Sequence, residues 1–244
     1  MFRSLRIISA VLVVLLTGGC ASRIPTYPWT DAQTAVQAMA KQAQAVHSIS
    51  ARCSMTLVNA HGDSVTLESA IALQPPDRLR LRAWKFGQAV FDLTRTPEGV
   101  WVMTGADNSD PAKAMNARLG AVQIARGLAI FNGEMFSDPH LRVVDRGGDT
   151  FMLYRAAEND TTILCTVDRA TLTVRKYELQ DRTNQVRFTL TLAGYRQFQN
   201  VVWPTQIDGT SGTGKFSASL DDVEINQPLA PNTFVPPRTA KPQE

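Results

Sequence analysis

The chain has 244 residues, of which 44% are hydrophobic and 19% charged, a balance that marks a folded globular protein and not a disordered one. Its formal net charge of +3 includes Arg3 and Arg6, and without those two the chain is close to neutral. That excludes the concentrated basic surface of a nucleic-acid binder, and no later apolar run approaches the roughly 20 residues of a membrane span.

Residues 1–19 begin with the two arginines, continue through an apolar stretch at 7–16 and leave on Thr17, Gly18 and Gly19. This layout predicts a secretory signal. Leu16-Thr17-Gly18-Gly19-Cys20 resembles the lipobox of bacterial lipoproteins, which implies acylation of Cys20 and attachment to a membrane through it. Each buried methylene adds about 0.8 kcal/mol, so a multiply acylated cysteine holds far more firmly than one chain could. Ala21, by the same resemblance, implies sorting to the outer membrane. Residues 20–29, with Pro25 and Pro28, read as a lipidated tether.

Thr30-Asp31-Ala32-Gln33 has the spacing of a capping box and opens a predicted helix to His47, with Val36, Met39, Ala43 and Val46 on one face. From Ser50 the period falls to 2. Ala51, Cys53, Met55 and Leu57 alternate with polar residues, and strands follow at 64–73, 78–83, 88–95 and 100–103. Asp110-Pro111 is an N-cap followed by a first-turn proline, opening two short helices that end near Phe131, with a loop on to Pro139. Strands resume at 141–145, 150–157, 161–168, 173–180, 185–193, 200–209 and 215–223. The proline-rich tail begins at Pro228 and is expected to be disordered over 238–244.

Cys53 and Cys165 both fall on the apolar phase of their strands. They are either buried free thiols or a disulfide across the interior. Gly209 to Lys215 has P-loop spacing, but Phe216 replaces the required Ser or Thr and the following residues alternate as a strand. It reads as a hairpin turn. His47, His61 and His140 are dispersed, Asp107 to Asp110 lack the pattern of a calcium loop, and no metal is expected. Asp221, Asp222 and Glu224 read as a solvated patch, and Arg78, Arg80 and Arg82 as the solvated outer face of a strand. Trp84-Lys85-Phe86-Gly87 forms a hairpin end, whose aromatics either tuck into the sheet rim or touch a membrane or lipidated cargo.

One helix and a short insert are too little to cover about a dozen strands. The predicted fold is therefore mainly β (α+β), a strongly curved antiparallel sheet forming an open half-barrel of about 11–12 strands, with an N-terminal helix and a short helical lid. It occupies residues 30–237 as a single domain.

Three segments carry a family likeness: Ser48-Ile49-Ser50-Ala51-Arg52, Asp168-Arg169-Ala170-Thr171-Leu172 with the strand that ends at Gln180-Asp181, and the closing stretch at 228–237. Through them the chain resembles the LolA/LolB-like lipoprotein carriers and receptors. The resemblance implies binding of acyl chains without catalysis, no cofactor, a lipoprotein or lipid ligand, and a periplasmic carrier protein as partner. On this reading the inward phase lines a cavity: Met55, Leu57, Leu79, Leu81, Phe91, Leu93, Phe188 and Leu190, with Leu119 and Leu128 as lid. Trp84 and Phe86 would then contact membrane. The alternative is a structural lipoprotein whose barrel is filled by its own side chains and which serves an envelope complex. A hydrolase has no supporting constellation of residues.

Overall fold

The computed structural model describes residues 24–104, 133–157 and 160–243; the predicted helical insert at 110–131 lies outside them. Helix α1 (Ala32–Gln44) begins one residue later than the predicted box, because Asp31 and not Thr30 is its N-cap. The Asp31 carboxylate accepts from the Thr34 N–H at 2.8 Å and from the Thr34 hydroxyl at 2.7 Å, and a negative charge there also suits the helix dipole.

Fifteen strands follow among the described residues. They are β1 (Ile49–Asn59), β2 (Ser64–Gln74), β3 (Arg78–Lys85), β4 (Gln88–Thr96), β5 (Gly99–Thr104), β6 (Arg142–Val144), β7 (Thr150–Ala157) and β8 (Thr161–Asp168), then β9 (Val174–Gln180), β10 (Val186–Ala193), β11 (Arg196–Phe198), β12 (Val201–Trp203), β13 (Gln206–Ser211), β14 (Gly214–Ile225) and β15 (Lys241–Gln243). Thirteen of them form one sheet in the order β15-β5-β4-β3-β2-β1-β14-β13-β10-β9-β8-β7-β6, and β11 with β12 forms a separate ribbon. Every strand pairing is antiparallel.

Two expectations are corrected here. The predicted strand at 200–209 is split at Pro204, which has no N–H to give a ladder, so β12 and β13 belong to different sheets. The tail expected to be disordered pairs with the edge of the sheet, Lys241 opposite Val102 and Gln243 opposite Val100.

The registers place one continuous apolar row across nine strands: Val65, Leu57, Phe216, Gly209, Leu190, Tyr177, Cys165, Leu153 and Val143, each opposite the next. Residues directly opposite in an antiparallel pair share a face, so this row defines a single apolar side of the sheet. The same side continues through Ile71, Leu81, Leu93 and Val102 to β5. Fully burying one such side chain contributes about 1.5–3 kcal/mol, which is why the apolar phase holds across so many strands.

One end of this sheet is covered by α1, the β11–β12 ribbon and the chain that leads into the helix. The Tyr27 N–H donates to the Ala170 carbonyl at 2.6 Å, and the Trp29 ring lies 5.1 Å from Phe151 and 4.1 Å from the Arg169 guanidinium. At the far end of α1, the Asn226 side chain accepts from the His47 N–H at 2.7 Å and donates to the Ala45 carbonyl at 2.9 Å. Helix and β14 are thereby joined.

Gly209 in the middle of the apolar row is required by its neighbour. A Cβ there would lie 1.9 Å from the Phe216 ring, which fills the space the glycine leaves. Gly209→Ala should therefore destabilise the fold by about 1–3 kcal/mol, although alanine ordinarily suits a strand better than glycine. Urea unfolding monitored by circular dichroism measures the difference; an unchanged midpoint would contradict the packing.

Candidate ligand-binding site

Of the predicted cavity residues, the eight that are described all lie on the apolar side of the sheet. Met55, Leu79, Leu81, Leu93, Phe188 and Leu190 are buried there, while Leu57 and Phe91 are half-buried. Leu119 and Leu128 lie outside the described residues.

A cavity of about 180 Å³ opens beneath α1, at the end of the sheet where the ribbon sits. Met39 of α1 and Val46, just past the helix that ends at Gln44 and not at the expected His47, form one wall, Leu172, Val174 and Leu192 the sheet wall, and Val201 and Trp203 close it from the ribbon. Gln42, Thr171 and Asn200 stand at its margin, and Pro25 of the N-terminal segment completes it. Among the described residues, no Asp, Glu, Lys, Arg or His lines it. Tyr195 contributes its ring, because its hydroxyl is spent on the Val174 carbonyl at 2.6 Å and burial pushes its pKa well up. Such a lining is chemically suited to apolar matter with neutral hydrogen-bonding ends and disfavours a charge.

Sequence reasoning placed Met39, Ala43 and Val46 on one helix face, but it did not connect them with Leu172, Val174, Leu192 or Trp203. The available signal was the turn Asp168-Arg169-Ala170-Thr171-Leu172. There Asp168 accepts from the Ala170 and Thr171 N–H groups at 2.9 Å each, and Leu172 takes a left-handed φ of 54° while buried. Burial opposes ionisation of Asp168, but hydrogen bonds from Arg175 and Thr171 outweigh it and hold the carboxyl below its ordinary range.

The hairpin between β3 and β4 turns on two residues, Phe86 (φ 51°) and Gly87 (φ 76°). Both angles are left-handed, a turn geometry that favours Asn-Gly and penalises a bulky aromatic at its first position. Phe86 is nevertheless there and 96% exposed. The Lys85 ammonium lies 5.7 Å from its ring, and half-buried Trp84 has the Arg82 guanidinium 5.1 Å from its own. The Phe86 ring does not tuck into the sheet, whereas Trp84 stays half-buried on β3.

The arginines of β3 are not a simply solvated row. Asp92 of β4 has a fully buried side chain and binds both Arg80, at 2.7 Å, and Arg82, at 2.9 Å. Arg80 also donates to the Thr233 carbonyl at 2.8 Å, which pins the C-terminal segment over this face of the sheet. The sequence expectation missed this because alternation gives the face of a residue but not what covers it. A groove of about 770 Å³ remains beside the pinned segment, lined by Arg52, Arg82, Trp84 and Glu224 among others. Arg52 approaches Asp222 at 4.0 Å, so the acidic patch read at 221–224 carries a weak, exposed ion pair.

Cys53 and Cys165 are both free and buried, which decides between the two sequence readings. The Cys165 thiol lies 3.3 Å from the Met135 sulfur, and burial raises its pKa. Burial, with a smaller push from Asp221, lifts Cys53 to about 11.

Comparison with known proteins fits this architecture. No family model matches the chain, and no curated relative does. Among solved structures, a domain described as an outer membrane lipoprotein-sorting protein from Vibrio parahaemolyticus is similar over 83% of this chain and 95% of its own, at 18% identity and a TM-score of 0.54. A LolA superfamily protein from Nitrosomonas europaea covers 82% and 97%, at 11% identity and a TM-score of 0.57. A DUF1329 family protein from Desulfovibrio piger covers 84% and 98%, at 13% identity and a TM-score of 0.61. The fold is LolA-like: mainly β, with one large antiparallel sheet and one N-terminal helix.

The thiol environment gives a direct check. With Cys53 shifted from 9.0 to about 11, its thiolate at pH 8 is scarcer than about one part in a hundred. In a Cys20→Ser chain, a thiol-specific dye at pH 8 should modify neither cysteine until the protein is unfolded in guanidinium. A raised pKa means the folded state holds the proton more tightly. The associated stability is present below 9.0 and lost as pH rises towards about 11.

Proposed function

We propose that this chain is a lipid-anchored protein of the bacterial outer membrane, facing the periplasm, that binds the acyl chains of a lipoprotein or lipid in an apolar interior. Its role would be lipoprotein localisation or envelope lipid handling, with a periplasmic carrier as the source of ligand and no chemistry performed. The observation that carries this reading is the cavity beneath α1, whose lining among the described residues has apolar walls and no ionic side chain. The LolA-like fold and the lipobox-like sequence at Cys20 support it. The apolar side of the sheet, with Met55, Leu57, Leu79, Leu81, Phe91, Leu93, Phe188 and Leu190, would extend the surface available to a longer chain, curling round it beneath a lid that includes Leu119 and Leu128.

A second reading has an observation of its own. Leu93 and Leu190 are wholly buried and Met55 nearly so, as in a sheet filled by its own side chains and serving as an interaction module. Uptake of a fluorescent fatty acid separates the two. The soluble Cys20→Ser chain, stripped of lipid, should bind the probe saturably, and Val201→Phe should weaken binding about tenfold or more by filling the cavity. No saturable binding by the parent chain would leave the interaction module as the better reading.

Phe86 and Trp84 would be the contact with membrane or lipidated cargo. An exposed aromatic held at a disfavoured backbone angle is what a surface for bilayer contact requires and what folding alone does not. Phe86→Asn in the Cys20→Ser chain should cut co-sedimentation with phospholipid vesicles several-fold while leaving Tm unchanged or slightly higher. Equal sedimentation of the two chains would remove this role.

A further inference from the structure

Pro25 belongs to the N-terminal segment and also lines the cavity beneath α1. It stands only five positions after Cys20, a stretch of chain that spans at most about 17 Å when fully extended. The segment is held at this spot by the Tyr27 N–H bonded to the Ala170 carbonyl at 2.6 Å and by Trp29 lying between Phe151 and Arg169. Docking of residues 24–29 thus sets the start of the described chain, five positions or fewer from Cys20 in sequence, beside an apolar opening.

We propose that one acyl chain of the modified Cys20 folds back into this cavity and occupies it in the same molecule until a competing acyl group displaces it. The inference rests on the reading of Cys20 as a lipid attachment site. Three observations favour this occupant over a phospholipid or free fatty acid. First, the lining has no cationic side chain among the described residues for a phosphate or carboxylate, whereas the ester and amide links of an acylated cysteine are neutral. Second, the Gln42 and Asn200 amides at the margin can meet such carbonyl groups with neutral donors. Third, about 180 Å³ has room for on the order of six water-sized groups, which suits a stretch of one chain and not a whole lipid. Attachment supplies the rest, because a group tethered this closely is present at an effective concentration that a free ligand must exceed. The other chains on the cysteine would remain in the bilayer.

The test uses the full acylated chain in nanodiscs, with a photoreactive phenylalanine analogue replacing Val46 at the cavity wall or His61 at an exposed turn as control. Intact mass first shows whether Cys20 carries acyl groups. Irradiation should then link position 46, and not position 61, to the lipid on the peptide that contains Cys20. As a second readout, the acylated chain should bind a fluorescent fatty acid at least tenfold more weakly than the Cys20→Ser chain. An acylated chain with no such link, with a link only to nanodisc phospholipid, or with undiminished probe binding overturns the proposal while the anchor reading stands. An unmodified Cys20 overturns both.

Discussion

The pairing of β1 with β14 is the contact that makes one sheet out of two. Strands β1–β5 form one antiparallel run, and β6–β10 with β13 and β14 form another. Among the described residues, only the ladder from Asn59 opposite Gly214 to Ile49 opposite Ile225 joins them. Bringing together residues so distant in sequence costs loop entropy, but each doubling of the loop adds only about 0.6 kcal/mol, less than one buried leucine returns. The contact is close enough to dictate a residue. At Gly214 a side chain would meet the Val58 carbonyl at 2.3 Å, and its φ of 154° is one that glycine adopts freely. At the opposite end of the ladder Asn226 binds the chain after α1, so the helix takes its position from the same strand pair.

Once the sheet is continuous, its two sides take on different work. One gathers the apolar rows and receives α1 and the ribbon, producing a cavity whose described lining is uncharged. On the other the buried Asp92 binds two arginines while Arg80 reaches the main chain at Thr233. Removing one partner from such a cluster leaves an uncompensated buried charge, which costs far more than an exposed pair contributes. The ion cluster thus acts as a fastening for the C-terminal segment.

Much of this could be read from the residues in order. Alternation alone located nearly every strand of the main sheet, and it put all eight described cavity candidates on one side, because a period of 2 maps directly onto the two faces of a strand. What failed were features fixed by contacts distant in sequence. Alternation at Arg80 and Arg82 could not reveal that Thr233 covers them, and Lys241-Pro242-Gln243 has no strand pattern until the edge of β5 is beside it. The cavity beneath α1 was hidden for the same reason. Its walls come from the helix, from the β8–β9 turn and from a three-residue strand next to Pro204, and no periodicity relates them. The N-cap moved by one residue because Thr30 and Asp31 can both cap and only geometry chooses between them.

The two outer strands of the sheet, β15 and β6, are three residues each. On β15 the central residue is Pro242, which has no N–H to offer a further strand, and Lys241 sets a charge beside it. An open sheet edge is where copies of a protein join strand to strand, and such joins are hard to undo. A short outer strand that accepts no neighbour well lets the molecule be crowded without polymerising.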